Sequence, residues 1–348
     1  MRIVLIALDG LRPDMVSPEA TPHLHALAAS GVRFANARSV FPSETRVATP
    51  SLITGCRPGG HGMVANTLFD ATVAPDRLLR TKLIEDVAVM ARGGESPLGR
   101  PSLGERLAAV GLTFALVSAG TAGAARLLHP AAERLRMFRW NVEDDSGPIA
   151  ATMRERFGPT PPHDVPNLPR LRHSARILLE HVLPELRPDV TLVWLSEPDV
   201  SFHWGGLLAP HAREALRAAD TVIGQVMEWR EAQPDAAEIV IGVLSDHGHV
   251  TGRGKLSLET ELRRAGFRAG TGLGADTDVV VAPAAAPGLW FRDPAMASDV
   301  IHWLTAQPWC GPLLARDPAI LPEGAATPLD LLGSGHPRSA DLVVTFAG

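Results

Sequence analysis

Short, continuous apolar runs recur along the chain and predict strands that are buried on both faces of a sheet. These runs cover residues 3–8, 113–118, 190–195, 238–244 and 341–346. Between them, apolar side chains recur at helical spacing and predict helices over residues 22–29, 103–110, 175–186 and 210–229, with Thr21 as the cap of the first. Because strands and helices alternate, we predict an α/β fold with a mostly parallel central sheet and helices on both faces.

Three stretches lack either pattern and are rich in Gly, Pro, Ala and Arg: residues 68–100, 120–170 and 250–335. We interpret them as long loops or a cap. The sequence shows no internal repeat and no clear linker between independent domains. We therefore predict a single domain over residues 1–348, with a cap subdomain at 250–335, and this length suffices for a large α/β domain with an insert.

Composition narrows the classes of partner. The chain has 33 basic and 38 acidic residues, a net charge of −5, so nucleic acid is not expected as the main partner. The apolar run at the beginning ends at Asp9, far short of a signal-peptide core or of the roughly 20 residues that span a bilayer. We expect a cytoplasmic protein with no membrane partner.

The two cysteines, Cys56 and Cys310, form no Cys-x-x-Cys pair, so a thiolate zinc cluster is excluded and any metal must use His and carboxylate ligands. Acidic residues follow three of the apolar runs, namely Asp9, Asp199 and Asp246. Because parallel strands place their carboxyl ends at one edge of the sheet, we expect these carboxylates to converge. The alternative for each one is a turn former or helix cap.

Histidines accompany these carboxylates. Asp199 and His203 are four residues apart and reach one cation if the segment forms a helical turn, and His247 follows Asp246 on a glycine turn. His336 lies in a Gly-Ser-Gly-His loop, with His249 as a substitute ligand. This set of carboxylates and imidazoles without sulfur is the mixture that zinc or a similar divalent ion takes, although each segment alone is also compatible with a solvated loop.

The segment FPSETRVATPSLITG places Thr45 after a proline-containing turn and ahead of a candidate helix. Helix N-termini favour anions, so Thr45 is a candidate to face a phosphoryl group. The alternative is a helix N-cap, and Ser43, Thr49 and Ser51 compete for either role.

Four segments, ALDGLRPD, FPSETRVATPSLITGCRPGGHG, EPDVSFH and LSDHGH, make the chain resemble the alkaline phosphatase superfamily, and within it the type I phosphodiesterase/nucleotide pyrophosphatase family. The resemblance covers most of the chain. In that family the nucleophilic Thr lies nine residues before a Thr-Gly and sixteen before a His-Gly, and Thr45 keeps both spacings. The resemblance therefore selects Thr45 over its neighbours as the nucleophile.

The resemblance also implies a ligand set for two divalent metal ions. One ion would be held by Asp9, Thr45, Asp246 and His247, and the other by Asp199, His203 and His336. Zinc is expected, and manganese or iron suits the same ligands. Asn66 occupies the position, 21 residues after the nucleophile, at which the family binds a phosphoryl oxygen; we also expect the backbone N–H of Arg46 to donate to the phosphoryl group.

The activity implied is hydrolysis of a small-molecule phosphodiester through a phosphothreonine intermediate. Nucleotide-acting members tend to carry an aromatic residue after the nucleophile and a Tyr opposite, whereas here Arg46 follows Thr45 and the chain has no Tyr. Arg46 is thus a candidate to pair with an anionic substrate group, the alternative being a solvated arginine. A phosphate monoesterase, a phosphonate hydrolase, a phosphomutase and a non-catalytic metal-binding protein remain as alternatives.

Overall fold

The computed structural model describes residues 1–91, 96–320 and 324–347. The chain divides into two compact units, Met1–Ser39 with Pro101–Thr251 and Val40–Arg100 with Gly252–Gly348. The interpretation of the chain as one domain with a cap at 250–335 stays a prediction. No helix among the described residues is long and apolar enough to cross a membrane.

The described elements are numbered along the chain. The strands are β1 (Arg2–Leu8), β2 (Thr67–Leu68), β3 (Leu79–Arg80), β4 (Phe114–Ser118), β5 (Arg139–Asn141), β6 (Val190–Leu195), β7 (Ile239–Leu244), β8 (Ala269–Gly270), β9 (Val279–Ala282), β10 (Gly288–Phe291), β11 (Cys310–Ala315), β12 (Thr327–Pro328) and β13 (Leu342–Phe346). The α-helices are α1 (Pro22–Ser30), α2 (Thr45–Thr54), α3 (Pro58–His61), α4 (Ile84–Met90), α5 (Leu103–Ala108), α6 (Ala122–Leu128), α7 (Ala132–Leu135), α8 (Gly147–Phe157), α9 (Leu168–Ile177), α10 (Asp199–Gly205), α11 (Pro210–Glu231), α12 (Leu258–Arg264) and α13 (Ala297–Thr305). A π-helical segment, Leu178–Leu186, continues α9, and 3₁₀ turns cover Pro13–Met15, Ala236–Glu238, Pro294–Met296, Pro318–Ile320 and Leu329–Leu332.

The first unit contains the predicted parallel sheet, in the order β5-β4-β6-β1-β7. Every neighbouring pair in it is parallel, and Ala7 on β1 lies beside Trp194 on β6 and Leu244 on β7. The core of this unit includes Ile6 and Leu8 of β1 together with Ile223 of α11. Since helices cover the sheet, its central strands read as continuous apolar runs.

Helix α1 begins where the sequence predicts, but its cap is different. The side chain of Thr21 makes no capping hydrogen bond, because its hydroxyl is used by the backbone of Ser17. Instead the Asp220 carboxylate of α11 accepts from the backbone N–H groups of His23 (3.1 Å) and Leu24 (2.8 Å). A tertiary carboxylate thus satisfies two N–H groups of the first turn, and Thr21 occupies the predicted N-cap position without making a side-chain capping bond.

The second unit has a six-stranded mixed sheet in the order β12-β11-β13-β10-β9-β8 and a small antiparallel pair, β2 with β3. The run at 341–346 is a strand, β13, but it pairs antiparallel with β10 and β11 instead of joining the parallel sheet. A buried apolar run predicts a strand without specifying its sheet, which explains the error. The stretch 250–335 holds helices α12 and α13 and strands β8 to β12, where we expected loops or a cap.

Candidate functional site

The candidate ligands of the first unit follow three neighbouring parallel strands, β6, β1 and β7. Asp9 comes directly after β1, Asp246 follows β7, and Asp199 begins α10 beyond the end of β6. The backbone turns sharply at Gly10, which has a φ of +73°, and the Asp199 N–H donates to the Asp9 carbonyl at 3.1 Å. The sheet topology therefore brings together carboxylates that lie far apart in sequence.

Asp9, Asp246 and His247 form one group whose ligand atoms all lie within 4.8 Å of one another. His247 Nε2 is 3.6 Å from Asp9 Oδ1 and 3.4 Å from Asp246 Oδ2. The other ring nitrogen, Nδ1, is 3.1 Å from the Gly248 carbonyl. A carbonyl only accepts, so Nδ1 is the donor in this contact, and Nε2 is the ring nitrogen that faces the two carboxylates.

These residues fit a divalent metal ion. Asp246 Oδ2 is buried and accepts no hydrogen bond from any residue the structure describes, an arrangement that costs free energy unless a cation compensates the charge. The imidazole has the arrangement of metal-bound histidines, in which one ring nitrogen faces the cation and the other donates to a carbonyl. Two carboxylates and one such imidazole match the ligand types of catalytic zinc.

Asp199, His203 and His249 form the second group, again within 4.8 Å. His249 Nε2 is 2.6 Å from Asp199 Oδ1, and His203 Nε2 is 3.4 Å from the same oxygen. Asp199 and His203 share a face of α10 because they are four residues apart. The imidazole that the structure adds to this pair is His249, the substitute in the sequence analysis.

The electrostatics of the second group favour a charged carboxylate. Burial raises the pKa of Asp199, but hydrogen bonds and charges from His203 and His249 outweigh burial and bring it below its usual range. The hydrogen bond to Asp199 in turn raises the pKa of His203. Because a metal needs the neutral imidazole, the raised pKa of His203 makes cation binding compete with protonation of the ring.

His336 lies in the second unit. Its Nδ1 accepts from the Arg338 N–H at 3.0 Å, and a Cβ on Gly62 would lie 2.9 Å from its Nε2, so the ring packs against the glycine. Burial, and then the charge of Arg338, lower the pKa of His336. With Nδ1 accepting a hydrogen bond, the neutral ring carries its proton on Nε2, so this arrangement is not that of a histidine that ligates through Nε2. The assignment of His336 to the second metal stays a prediction.

Thr45 is the first residue of α2, in the second unit, and is nearly buried. The Arg46 N–H donates to Asn66 Oδ1 at 2.9 Å, and Glu44 Oε2 accepts from the Asn66 N–H at 2.6 Å. Asn66 is thus fixed beside the beginning of the helix, with its amide NH₂ as the remaining donor. This differs from our expectation for Arg46, because its N–H is used by Asn66 in place of a phosphoryl group. The Arg46 side chain is half-buried.

Two further residues position groups of the candidate site and were not predicted from the sequence: Glu44 beside the nucleophile segment and Trp194 beside Asp9. Glu44 is buried and positions Asn66, although the segment FPSET gives no sign that its carboxylate turns inward. Trp194 lies within an apolar strand and donates its indole N–H to Asp9 Oδ2 at 3.1 Å. The available signal was the tryptophan itself, since a buried indole N–H requires an acceptor.

The sequence pattern of the type I phosphodiesterase / nucleotide pyrophosphatase family matches residues 3–345. The chain belongs to this family. Human ectonucleotide pyrophosphatase/phosphodiesterase family member 5 is 35% identical over 69 residues, which is 20% of this chain and 14% of that protein. Venom phosphodiesterase of Macrovipera lebetinus is 22% identical over 249 residues, 71% of this chain and 25% of the venom protein. These alignments span a quarter or less of the relatives.

Solved structures share the fold. Murine ectonucleotide pyrophosphatase/phosphodiesterase 5 aligns with a TM-score of 0.67 at 15% identity, over 99% of this chain and 79% of that chain. Phosphonoacetate hydrolase from Sinorhizobium meliloti, in complex with phosphonoacetate, aligns with a TM-score of 0.70 at 17% identity, over 99% and 80%. An inactive threonine-to-alanine variant of the murine protein has been solved with AMP. The predicted α/β fold with a parallel central sheet is confirmed.

Proposed function

We propose that this chain is a two-metal-dependent hydrolase of the phosphodiesterase/nucleotide pyrophosphatase type, with Thr45 as its nucleophile. The observation that carries the proposal is the pair of Asp/His groups at the carboxyl edge of the parallel sheet. Two adjacent metal-ligand groups are what an in-line phosphoryl displacement uses. Family membership supports the same chemistry, and the resemblance to the family, through the spacing around Thr45, links the threonine to these groups.

The ligands divide between two cations. The first cation would be held by Asp9, Asp246 and His247, and the resemblance adds Thr45. The second cation would be held by Asp199 and His203, together with either His249 or His336. Bound zinc, or manganese or iron in its place, would act as a Lewis acid and would lower the pKa of a hydroxyl or a water.

The reaction divides into two displacements at phosphorus. The Thr45 hydroxyl gives its proton to solvent and its oxygen bonds to phosphorus, while the bond to the leaving oxygen breaks and that oxygen takes up a proton from solvent, which leaves a phosphothreonine ester. Water then attacks the same phosphorus and gives up a proton, the bond from phosphorus to the Thr45 oxygen breaks, and that oxygen is protonated again to restore the hydroxyl. The N-terminus of the ten-residue helix α2 favours the negative charge at Thr45, and the Asn66 amide donates to a phosphoryl oxygen.

The substrate we propose is a small-molecule phosphodiester. Arg46 follows the nucleophile where an aromatic clamp for a base is expected in nucleotide-acting members, so we propose that it pairs with an anionic group of the substrate. A phosphonate hydrolase or a phosphate monoesterase would use the same ligands. The substrate panel below separates these classes.

The test is a hydrolysis panel on chelated protein after zinc or manganese is added back. We expect metal-dependent release of p-nitrophenol from bis(p-nitrophenyl) phosphate, faster than from p-nitrophenyl phosphate and faster than release of phosphate from phosphonoacetate. A faster rate on either of the other substrates replaces the diester assignment. Sugar-phosphate isomerisation without hydrolysis would indicate a phosphomutase, and stoichiometric metal without turnover of any ester would contradict an enzyme.

Thr45→Ala tests the nucleophile. Thr49→Ala is its control, because it makes the same chemical change on the same helix at a side chain that is fully buried and cannot reach a substrate. We expect Thr45→Ala to abolish turnover while metal content stays nearly unchanged. Thr49→Ala should retain turnover. Equal losses in the two variants would mean that Thr45 acts through the stability of α2.

A further inference from the structure

We infer that Trp194 is a positioning residue for the first cation group: its indole N–H holds one oxygen of Asp9 and thereby directs the other oxygen toward His247. The inference rests on the proposed function, because it assigns a role in binding the cation. It starts from the 3.1 Å hydrogen bond between Trp194 Nε1 on β6 and Oδ2 of Asp9, the residue directly after the adjacent strand β1.

The backbone fixes both partners of this bond. Trp194 lies opposite Ala7 in the parallel register of β6 and β1, the Asp9 N–H donates to the Leu195 carbonyl at 3.0 Å, and the Ala119 N–H donates to the Trp194 carbonyl at 2.8 Å. The indole therefore extends from a central strand that is paired on both sides. A side chain on such a strand is held more precisely than one on a loop.

Packing leaves the indole little room to move. The Trp194 side chain is fully buried, and Gly120 lies against its edge, where an added Cβ would be 3.3 Å from Cδ1 and 3.6 Å from Nε1. An indole N–H only donates and does not ligate a cation. Trp194 thus orients Asp9 without competing for the metal.

The two carboxylates of the group are held in the same way. Asp246 Oδ1 accepts from the Gly10 N–H at 3.2 Å, and Asp246 Oδ2 is the oxygen near His247 Nε2. Asp9 Oδ2 accepts from the indole, and Asp9 Oδ1 is the oxygen near the same nitrogen. In each case an uncharged N–H donor holds one oxygen and leaves the charge of the carboxylate in place. A lysine or arginine at position 194 would bind the same oxygen but would neutralise that charge.

The experiment measures Co²⁺ binding by visible absorption, in competition with a chelator, for the full chain. Trp194→Phe removes the donor, and replacement of Trp194 by 3-benzothienylalanine keeps the bicyclic shape and removes only the N–H. We expect one of two Co²⁺ equivalents to bind about 10- to 100-fold more weakly in both variants, the range for loss of a ligand's hydrogen-bond partner. The second equivalent should be unchanged.

Trp140→Phe is the matched control, because Trp140 is also buried on a strand of this sheet and packs against the His173 ring. It should leave both equivalents unchanged. Unaltered Co²⁺ affinity in the benzothienylalanine variant, or equal weakening of both equivalents, would overturn the positioning role of Trp194 and would leave the proposed function standing. Absence of Co²⁺ binding by the unaltered protein would instead refute the proposed function.

Discussion

Asn66 provides a sharp test of how the nucleophile segment stabilises charge. Its Oδ1 accepts from the Arg46 N–H at 2.9 Å, so its Nδ2 is the group left to donate to a phosphoryl oxygen. Asn66→Ala removes that donor. Asn66→Asp keeps an acceptor for Arg46 but places a second oxygen where the NH₂ group was, so a negative oxygen would face the substrate.

Comparable donors to developing charge contribute about 3 kcal/mol, so we expect Asn66→Ala to lower kcat by about 10²- to 10³-fold. Asn66→Asp should lower kcat at least as much, because repulsion is added to the lost hydrogen bond. The assay is steady-state hydrolysis of bis(p-nitrophenyl) phosphate, with kcat and KM measured separately. We expect the change in kcat and not in KM, because the donor acts on charge that develops during the reaction.

Metal content and the melting temperature are the controls for Asn66, and both should match the unaltered protein in Asn66→Asp. Glu44→Gln should give a smaller loss of kcat than the Asn66 variants. It weakens the hydrogen bond to the Asn66 N–H by about 1 kcal/mol, which lowers kcat roughly fivefold if the transition state loses that whole amount. Asn66→Asp with kcat within threefold of the unaltered protein, or a change confined to KM, would refute the donor role.

Three further predictions concern metal binding and acid stability. His203→Ala should reduce bound zinc from two ions to one per chain, as measured by atomic emission, whereas the exposed His25→Ala should leave two. His249→Ala should show the same loss as His203→Ala because of its 2.6 Å contact with Asp199, and retention of both ions would return the role to His336. His129→Leu should change the free energy of unfolding, relative to that of the unaltered protein, by about 2 kcal/mol more favourably at pH 5 than at pH 7, as measured by urea unfolding. The same effect of the substitution at both pH values would contradict a buried, neutral ring.

The sign of the His129 prediction follows from the folded and unfolded pKa values. Burial, and then the charge of Arg139, lower the pKa of His129 from 6.5 to about 3 in the folded protein. Neither ring nitrogen forms a hydrogen bond with a described residue, so leucine leaves no described partner unpaired. The unfolded chain binds a proton near pH 6.5 while the folded chain does not, so the stability present above that pH is lost as pH falls.

The sequence predicts the parallel sheet and the three carboxylates at its edge because both depend on local pattern. Asp9, Asp199 and Asp246 each follow an apolar strand, and adjacent parallel strands bring such residues together regardless of their separation in sequence. The helix at 210–229 was predicted for a similar reason and extends over Pro210–Glu231. Periodicity is sufficient for these elements.

Contacts made by single side chains could not be predicted from local sequence pattern. The Asp220 cap of α1, the inward carboxylate of Glu44 and the indole bond to Asp9 each join residues whose types have other common roles. Nor does an apolar run at 341–346 indicate that its partners are β10 and β11. Such pairings depend on tertiary packing, which overrides local pattern.

The most direct test of the proposed function is the mass of the enzyme trapped during turnover of bis(p-nitrophenyl) phosphate. Acid-quenched protein, digested and analysed by mass spectrometry, should carry a p-nitrophenyl phosphoryl group on the peptide that contains Thr45, and on no peptide of the Thr45→Ala variant. Turnover by Thr45→Ala at an unreduced rate, or an adduct on another side chain, would contradict the account.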